Sequence, residues 1–322
     1  MRKIIAIGES ILDTIYEDNK PVKCMVGGRI ANAAASLGYM QLPVTMVSEC
    51  GSDRVGDMVI DFLESHGVDV GSVDRFTDGA TAMSAIFEQH DGSREMVNYG
   101  KYPDDRFDVV WPRIDENDIV LFGSLYGIDT PQRARLFELV SYAAERKAII
   151  VYLPGFQHGI NFRITKVMTA ILENLEIADV VVAHQRDINN IFPGETAEEA
   201  FHNHIEFYCS TYIHIHSDLS VSLFFKKSRK DFTSSGFTTS NLLGWQAGFT
   251  AGLIEEIMSK GMGKEELATL PDEQQQLLVA KACEMARLCA TAQDNCLPAE
   301  AARKLHDDRV AAEAHREKKL NA

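Results

Sequence analysis

Short apolar runs alternating with stretches of helical periodicity set the architecture of this chain. Ile4–Ile7, Val44–Val47, Ile119–Phe122, Ala148–Tyr152, Val180–Ala183, Tyr212–Ile215 and Ser222–Phe225 are β-rich runs of strand length. Between several of them, Ala31–Leu37, Asp57–His66, Thr130–Arg146, Ile164–Leu175 and Gly248–Ser259 space their apolar residues as amphipathic helices do. The alternation predicts an α/β fold, a three-layer, mostly parallel sheet with helices on both faces. Ligands of such sheets bind at the carboxyl ends of the strands. Two stretches break the rhythm. Asp13–Val26 and Thr81–Tyr99 have a period of two around the turn pairs Asp18-Asn19 and Asp91-Gly92, so they are expected to project as hairpins of a small β lid. From Asp307 to Ala322 the chain is charged and Ala-rich, and reads as a solvated helix or frayed tail following a domain over 1–306.

Composition narrows the function classes. The 322 residues carry 47 acidic and 32 basic side chains, a formal charge of −15 that repels a phosphate backbone, so no nucleic-acid partner is expected. Six cysteines form no C-x-x-C pair, as suits thiols in a reducing compartment. The N-terminus runs straight into the first strand, and no apolar run approaches membrane-spanning length; the expectation is a cytoplasmic protein with no membrane partner. His202-Asn203-His204 and His214-Ile215-His216 could each set two imidazoles on one side of a strand. Neither has a cysteine or carboxylate at supporting spacing, so no metal is assigned.

Candidate chemistry begins at the first strand's end. Gly8-Glu9-Ser10-Ile11-Leu12-Asp13 places a carboxylate there, able to accept two hydroxyl hydrogen bonds from a polyol. Gly27-Gly28 then opens a small-residue helix, letting backbone and ligand approach closely, and Asn32 one turn in offers a donor and an acceptor. With Gly51-Ser52-Asp53-x-x-Gly56-Asp57, Gly67-Val68-Asp69 and the distant Ala251-Gly252-Leu253-Ile254, this order resembles the ribokinase-like, or PfkB, carbohydrate kinases over nearly the whole chain. The resemblance implies a sugar-like ligand held by Asp13, Gly27, Gly28 and Asn32. It also implies ATP and Mg2+ if the protein is active, and neither otherwise, with a homodimer through the lid as a possible assembly.

The phosphoryl-transfer motifs depart from the family. Its Gly-Ala-Gly-Asp, an anion hole at a helix N-terminus with the Asp as base, falls on Gly244-Trp245-Gln246-Ala247, where the base has become a methyl group. Losing a general base costs about a hundred- to ten-thousand-fold in rate. Trp245 and Gln246 add bulk where phosphate approaches, Trp245 serving as a plug or as a stacking platform. The upstream family Asp is Asn241. The two glycines under the nucleotide are Ser217 and Ser220, the Asn-x-x-Glu motif is His184-Gln185-Arg186-Asp187, and Leu153-Pro154-Gly155-Phe156-Gln157 stands where many relatives carry Asp-Pro-Asn-x-Arg. Asp187 either positions magnesium in a residual site or is a solvated helix-start acid. Three readings follow: a sugar-binding kinase homologue with phosphotransfer lost or strongly weakened; an active ATP-dependent sugar kinase whose base is displaced to Asp218 or Asp187; and a non-catalytic structural or interaction protein.

Overall fold

In a computed structural model, residues 2–88, 94–156, 163–234, 236–239 and 241–320 are described. The chain order is β1 (Ile4–Ile7), β2 (Ile11–Glu17), β3 (Lys20–Gly27), α1 (Arg29–Tyr39), β4 (Val44–Gly51), α2 (Arg54–Ser65), β5 (Asp69–Phe76), β6 (Ala80–Glu88), β7 (Arg94–Lys101) and β8 (Ile119–Ser124). It continues with α3 (Thr130–Glu145), β9 (Ile149–Pro154), α4 (Ile164–Ile177), β10 (Val180–His184), α5 (Gln185–Ile191), α6 (Ala197–Ala200), β11 (Thr211–Ile215), β12 (Val221–Phe225) and β13 (Ser228–Phe232). The last elements are α7 (Leu242–Ser259), α8 (Lys264–Leu267), α9 (Asp272–Ala290) and α10 (Ala299–Leu320).

Nine strands form the main sheet in the order β13-β12-β11-β10-β9-β8-β1-β4-β5, parallel from β11 to β5, with the β12 and β13 pairings antiparallel. Parallel strands covered on both faces read as unbroken apolar runs, and β1, β4, β8, β9 and β10 are buried at every position. Alternate side chains serve two cores. Ile4, Ala6, Ile119 and Leu121 pack with Ile30, Leu63, Phe249 and Leu278 of α1, α2, α7 and α9. Ile5, Ile7, Val120 and Phe122 pack with Leu136, Val167 and Ile188 of α3, α4 and α5. The sheet therefore has helices on both faces, as the alternation predicted.

Both expected hairpins are present, and their bounds are wider than the sequence indicated. β2 with β3 and β6 with β7 pair antiparallel, and a parallel β2–β6 pairing joins them into one four-stranded sheet, β3-β2-β6-β7. Asp91-Gly92 lies outside the described residues. Strands β5 and β13 escaped the sequence reading because both are sheet edges, where Asp, Arg and Lys interrupt the apolar pattern. Residues 307–320 continue α10, which is tied to the body where Arg309 Nη2 donates to Met40 O at 2.6 Å.

Candidate functional site

A cavity of about 1140 Å3 opens at the carboxyl ends of the parallel strands beneath the lid. It exceeds the roughly 300–1,000 Å3 of ordinary small-molecule pockets, leaving room for a ligand of two parts. Asp13, Asn32, Asn98 and Tyr99 border one end; His184, Asp187, His216, Trp245 and Gln246 border the other.

The first end is built around two glycines. Gly27 closes β3 opposite Ile11 and beside the Asp13 side chain of the paired strand: a Cβ there would run into the Asp13 carboxylate. Gly28 caps α1 at φ 104, in the left-handed region, and a side chain there would meet the Glu9 carbonyl. Asp13 and Asn32 are 5% and 3% exposed, and each holds a buried Oδ1 with no hydrogen-bond partner. Burial pushes the Asp13 carboxyl up to about 7, opposed by Ser84 and helped by Glu9. Glu9 accepts from Ser124 Oγ at 2.8 Å, keeps Oε2 without a partner, and is itself raised by burial. Buried acceptors without donors are costly, and a polyhydroxyl ligand supplies donors.

Between the two ends lies Arg29, the first residue of α1. Its Nη2 meets Asp187 Oδ2 at 3.0 Å and its Nη1 reaches Pro154 O at 3.4 Å. Asp187 is buried and ion-paired, so the reading of it as a solvated helix-start acid is corrected: Arg29, 158 positions away in sequence, folds onto it. Magnesium fits these residues poorly. It takes one or two carboxylates besides phosphate oxygens, and the Asp187 charge is already met by a guanidinium.

At the far end, Gly244–Ala247 is helix and not a turn. Asn241 caps α7, its Oδ1 accepting from Gly244 N at 2.9 Å, so the helix begins at Leu242, six residues before the apolar periodicity suggested. Trp245 is 2% exposed, stacked on Phe249 with centroids 5.3 Å apart and edge-on to His184 at 6.2 Å; it fills core volume and also walls the cavity. Gln246 lines the cavity, whereas the Ala247 methyl is fully buried and, like Gly244, is not part of its wall. Ser217 lines it too, but Ser220 turns its Oγ onto Asp218 Oδ1 at 2.6 Å.

The two histidine pairs differ: the His214 and His216 rings meet at the end of β11 with centroids 4.6 Å apart, whereas the other pair does not lie on a strand. His202 and His204 lie in a π-helical turn, bonded to Glu206 and Glu195 at 2.6 and 2.9 Å. His214 is fully buried on β11, and only His216, beyond the strand, reaches the cavity. Sequence reasoning passed over Glu9, Arg29 and Arg106, and weighed His216 only as a metal ligand. Arg29 left a signal, a lone cation inside a run of glycine and alanine. Arg106 left none: it walls the cavity through a buried cluster in which Glu49 accepts from Arg106 Nη2, Phe107 N and Tyr126 OH at 2.8, 2.6 and 2.8 Å.

Comparisons with known proteins agree with this fold. Residues 1–217 match the pfkB family carbohydrate kinase profile. Over 204 residues the chain is 22% identical to the sugar kinase PH1459 of Pyrococcus horikoshii, described as uncharacterised; the match spans 58% of this chain and 62% of that protein. Aminoimidazole riboside kinase from Salmonella enterica, solved with aminoimidazole riboside and an ATP analogue, superimposes with a TM-score of 0.78 at 15% identity, covering 96% of this chain and 99% of that one. Fructokinase with bound ATP from Xylella fastidiosa gives 0.78 at 16% identity, with the same coverage of 96% and 99%. With two thirds of its length matched by the family profile and its main sheet, lid and cavity in place, the chain belongs to the pfkB family of carbohydrate kinases.

Proposed function

We propose that this protein binds a sugar-like small molecule between Asp13, Gly28 and Asn32, and that ATP-dependent phosphoryl transfer is lost or strongly weakened. The observation that carries this reading is the charge inventory of the cavity. A methyl group occupies the position of the family base, and the cavity's carboxylates are committed elsewhere: Asp187 to Arg29, Asp129 to Arg106, and Glu9 and Asp13 to the sugar end. A general base must lie within hydrogen-bond reach of the hydroxyl it deprotonates.

In the bound state, ligand hydroxyls donate to the orphaned oxygens of Asp13 and Asn32, and the side-chain-free surface of Gly28 lets the ring approach the backbone. The displaced-base alternative has less support. Asp218 accepts from Ser220 N and Oγ at 3.0 and 2.6 Å within its own turn and does not line the cavity, and Asp187 is ion-paired.

Thermal-shift screening of sugars tests the binding half, because a ligand that binds only the folded state raises its apparent stability. Stabilisation by a sugar that disappears in Asp13→Ala supports it; no stabilisation by any sugar favours a structural or interaction role. Incubation with ATP, magnesium and a panel of sugars and nucleosides tests the catalytic half. Turnover near the ~10 s⁻¹ of an ordinary enzyme would overturn it.

A further inference from the structure

A smaller cleft lies where α7, α9 and α10 meet, and it shares no wall residue with the main cavity. Gly248 and Gly252 bring α7 onto the backbone of α9: a Cβ on Gly252 would meet Ala282 Cα and Lys281 O. With α10 as a third wall, a space of about 190 Å3 remains between the helices, the volume of about six waters.

Two charged side chains border this space with a buried atom left over. Glu256 of α7 is 4% exposed, yet its Oε1 has no hydrogen-bond partner. The exposed Lys260 ammonium lies 3.7 Å from that oxygen, beyond hydrogen-bond range. On α10, Arg309 Nη2 donates to Met40 O at 2.6 Å and lies 3.1 Å from His306 Nδ1, contacts that hold the guanidinium in place; its Nη1 is buried and has no hydrogen-bond partner. A buried acceptor and a buried donor left in this way are both costly.

The surroundings narrow what could meet them. Lys281 and Glu284 pair with each other at 2.7 Å on α9. Burial pushes the Glu255 carboxyl up, with Glu256 adding to it and Arg309, Lys281 and Lys260 opposing, so the acids of α7 and the cation of α10 act on one small volume. Four acids, Glu255, Glu256, Glu284 and Asp308, face the three bases Lys260, Lys281 and Arg309, so the cleft is close to electrically balanced. The rest of its wall is apolar: Met285 is buried, and Leu288 and Leu305 are half-buried against the same core. A ligand that satisfies both left-over atoms carries a cationic donor and an anionic acceptor within a few bonds of each other, with an aliphatic part beside them.

We infer that this cleft binds a small aliphatic α-amino acid, its ammonium donating to Glu256 Oε1, its carboxylate accepting from Arg309 Nη1 and its side chain lying against Met285, Leu288 and Leu305. The zwitterion adds no net charge to a cleft whose own charges nearly balance, which sets it apart from a polyamine or a phosphate. The site is independent of the sugar end of the main cavity and of whether phosphoryl transfer survives.

L-Leucine is the probe, titrated calorimetrically onto the full chain near neutral pH, beside isopentylamine, which lacks its carboxylate, and isocaproate, which lacks its ammonium. Leucine is expected to bind at least tenfold tighter than either. Glu256→Gln, nearly the same in shape, should weaken leucine about tenfold, the worth of a hydrogen bond to a charged group, without weakening isocaproate. Arg309→Met should weaken leucine at least as much without weakening isopentylamine. Because Arg309 also holds Met40 O, urea unfolding checks that this variant is folded, and Glu256→Gln decides the matter if it is not. No leucine binding, an analogue binding as tightly as leucine, or full leucine affinity in Glu256→Gln would each overturn the inference.

Discussion

Replacing Asp13 by asparagine tests the sugar end of the cavity through a property that needs no ligand. Burial pushes the folded carboxyl up to about 7, Ser84 opposing and Glu9 assisting, against 3.8 for the ordinary group. Between those values the unfolded chain releases a proton that the folded protein keeps, so this group makes stability fall as pH rises from about 4 to about 7. A gap of about 3 units, at about 1.4 kcal/mol per unit, gives roughly 4 kcal/mol at about pH 8; water reaching the cavity brings the expected figure to about 2–4 kcal/mol. Asparagine has nearly the same shape and no proton to lose. Wild type and Asp13→Asn should therefore unfold in urea alike near pH 4, with the variant the more stable by that amount near pH 8 and the denaturant slopes unchanged. Equal stability of the two proteins at the higher pH would refute the reasoning. Ligand binding gives the complementary readout. Hydroxyl donors favour the ionised carboxylate, so wild-type affinity for a bound sugar should rise as pH climbs through about 7, while the variant stays weak and flat.

Gly27→Ala sets a methyl group against the Asp13 carboxylate and should lower sugar affinity at least tenfold with the circular dichroism spectrum unchanged; full affinity would show that the carboxylate is not held where described. Arg29→Leu leaves Asp187 buried and unpaired, expected to cost about 3 kcal/mol in urea unfolding, whereas the double change with Asp187→Leu should cost less than the single one. A single-variant loss below about 1 kcal/mol would mean that solvent already screens the pair. Glu49→Gln removes the charge facing the buried Arg106 guanidinium and is expected to cost about 3 kcal/mol, with faster tryptic cleavage at Arg106; an unchanged cleavage rate would place the stability of that segment elsewhere.

Much of the proposed sugar end was legible in sequence because its parts are local. Asp13 follows a strand end by a few residues, and Gly27, Gly28 and Asn32 lie within six consecutive positions where β3 gives way to α1, so turn chemistry and periodicity bring them into range. The altered far end was legible as substitutions, Ala247 above all, but not as geometry. The start of α7 at Leu242 depends on the Asn241 cap, which precedes the apolar pattern used to locate the helix.

By itself the sequence determined the α/β alternation, the core strands and the acidic surface, since each follows from side-chain period and charge within a short window. Only the tertiary structure decided that β2 pairs parallel with β6 to merge two hairpins into one lid, that Arg29 neutralises Asp187, and that His216 meets Ser222, itself bonded to Asp231. Each of these joins separate elements, and which of them meet is set by strand register and by the packing of two cores on one sheet, neither of which local periodicity encodes.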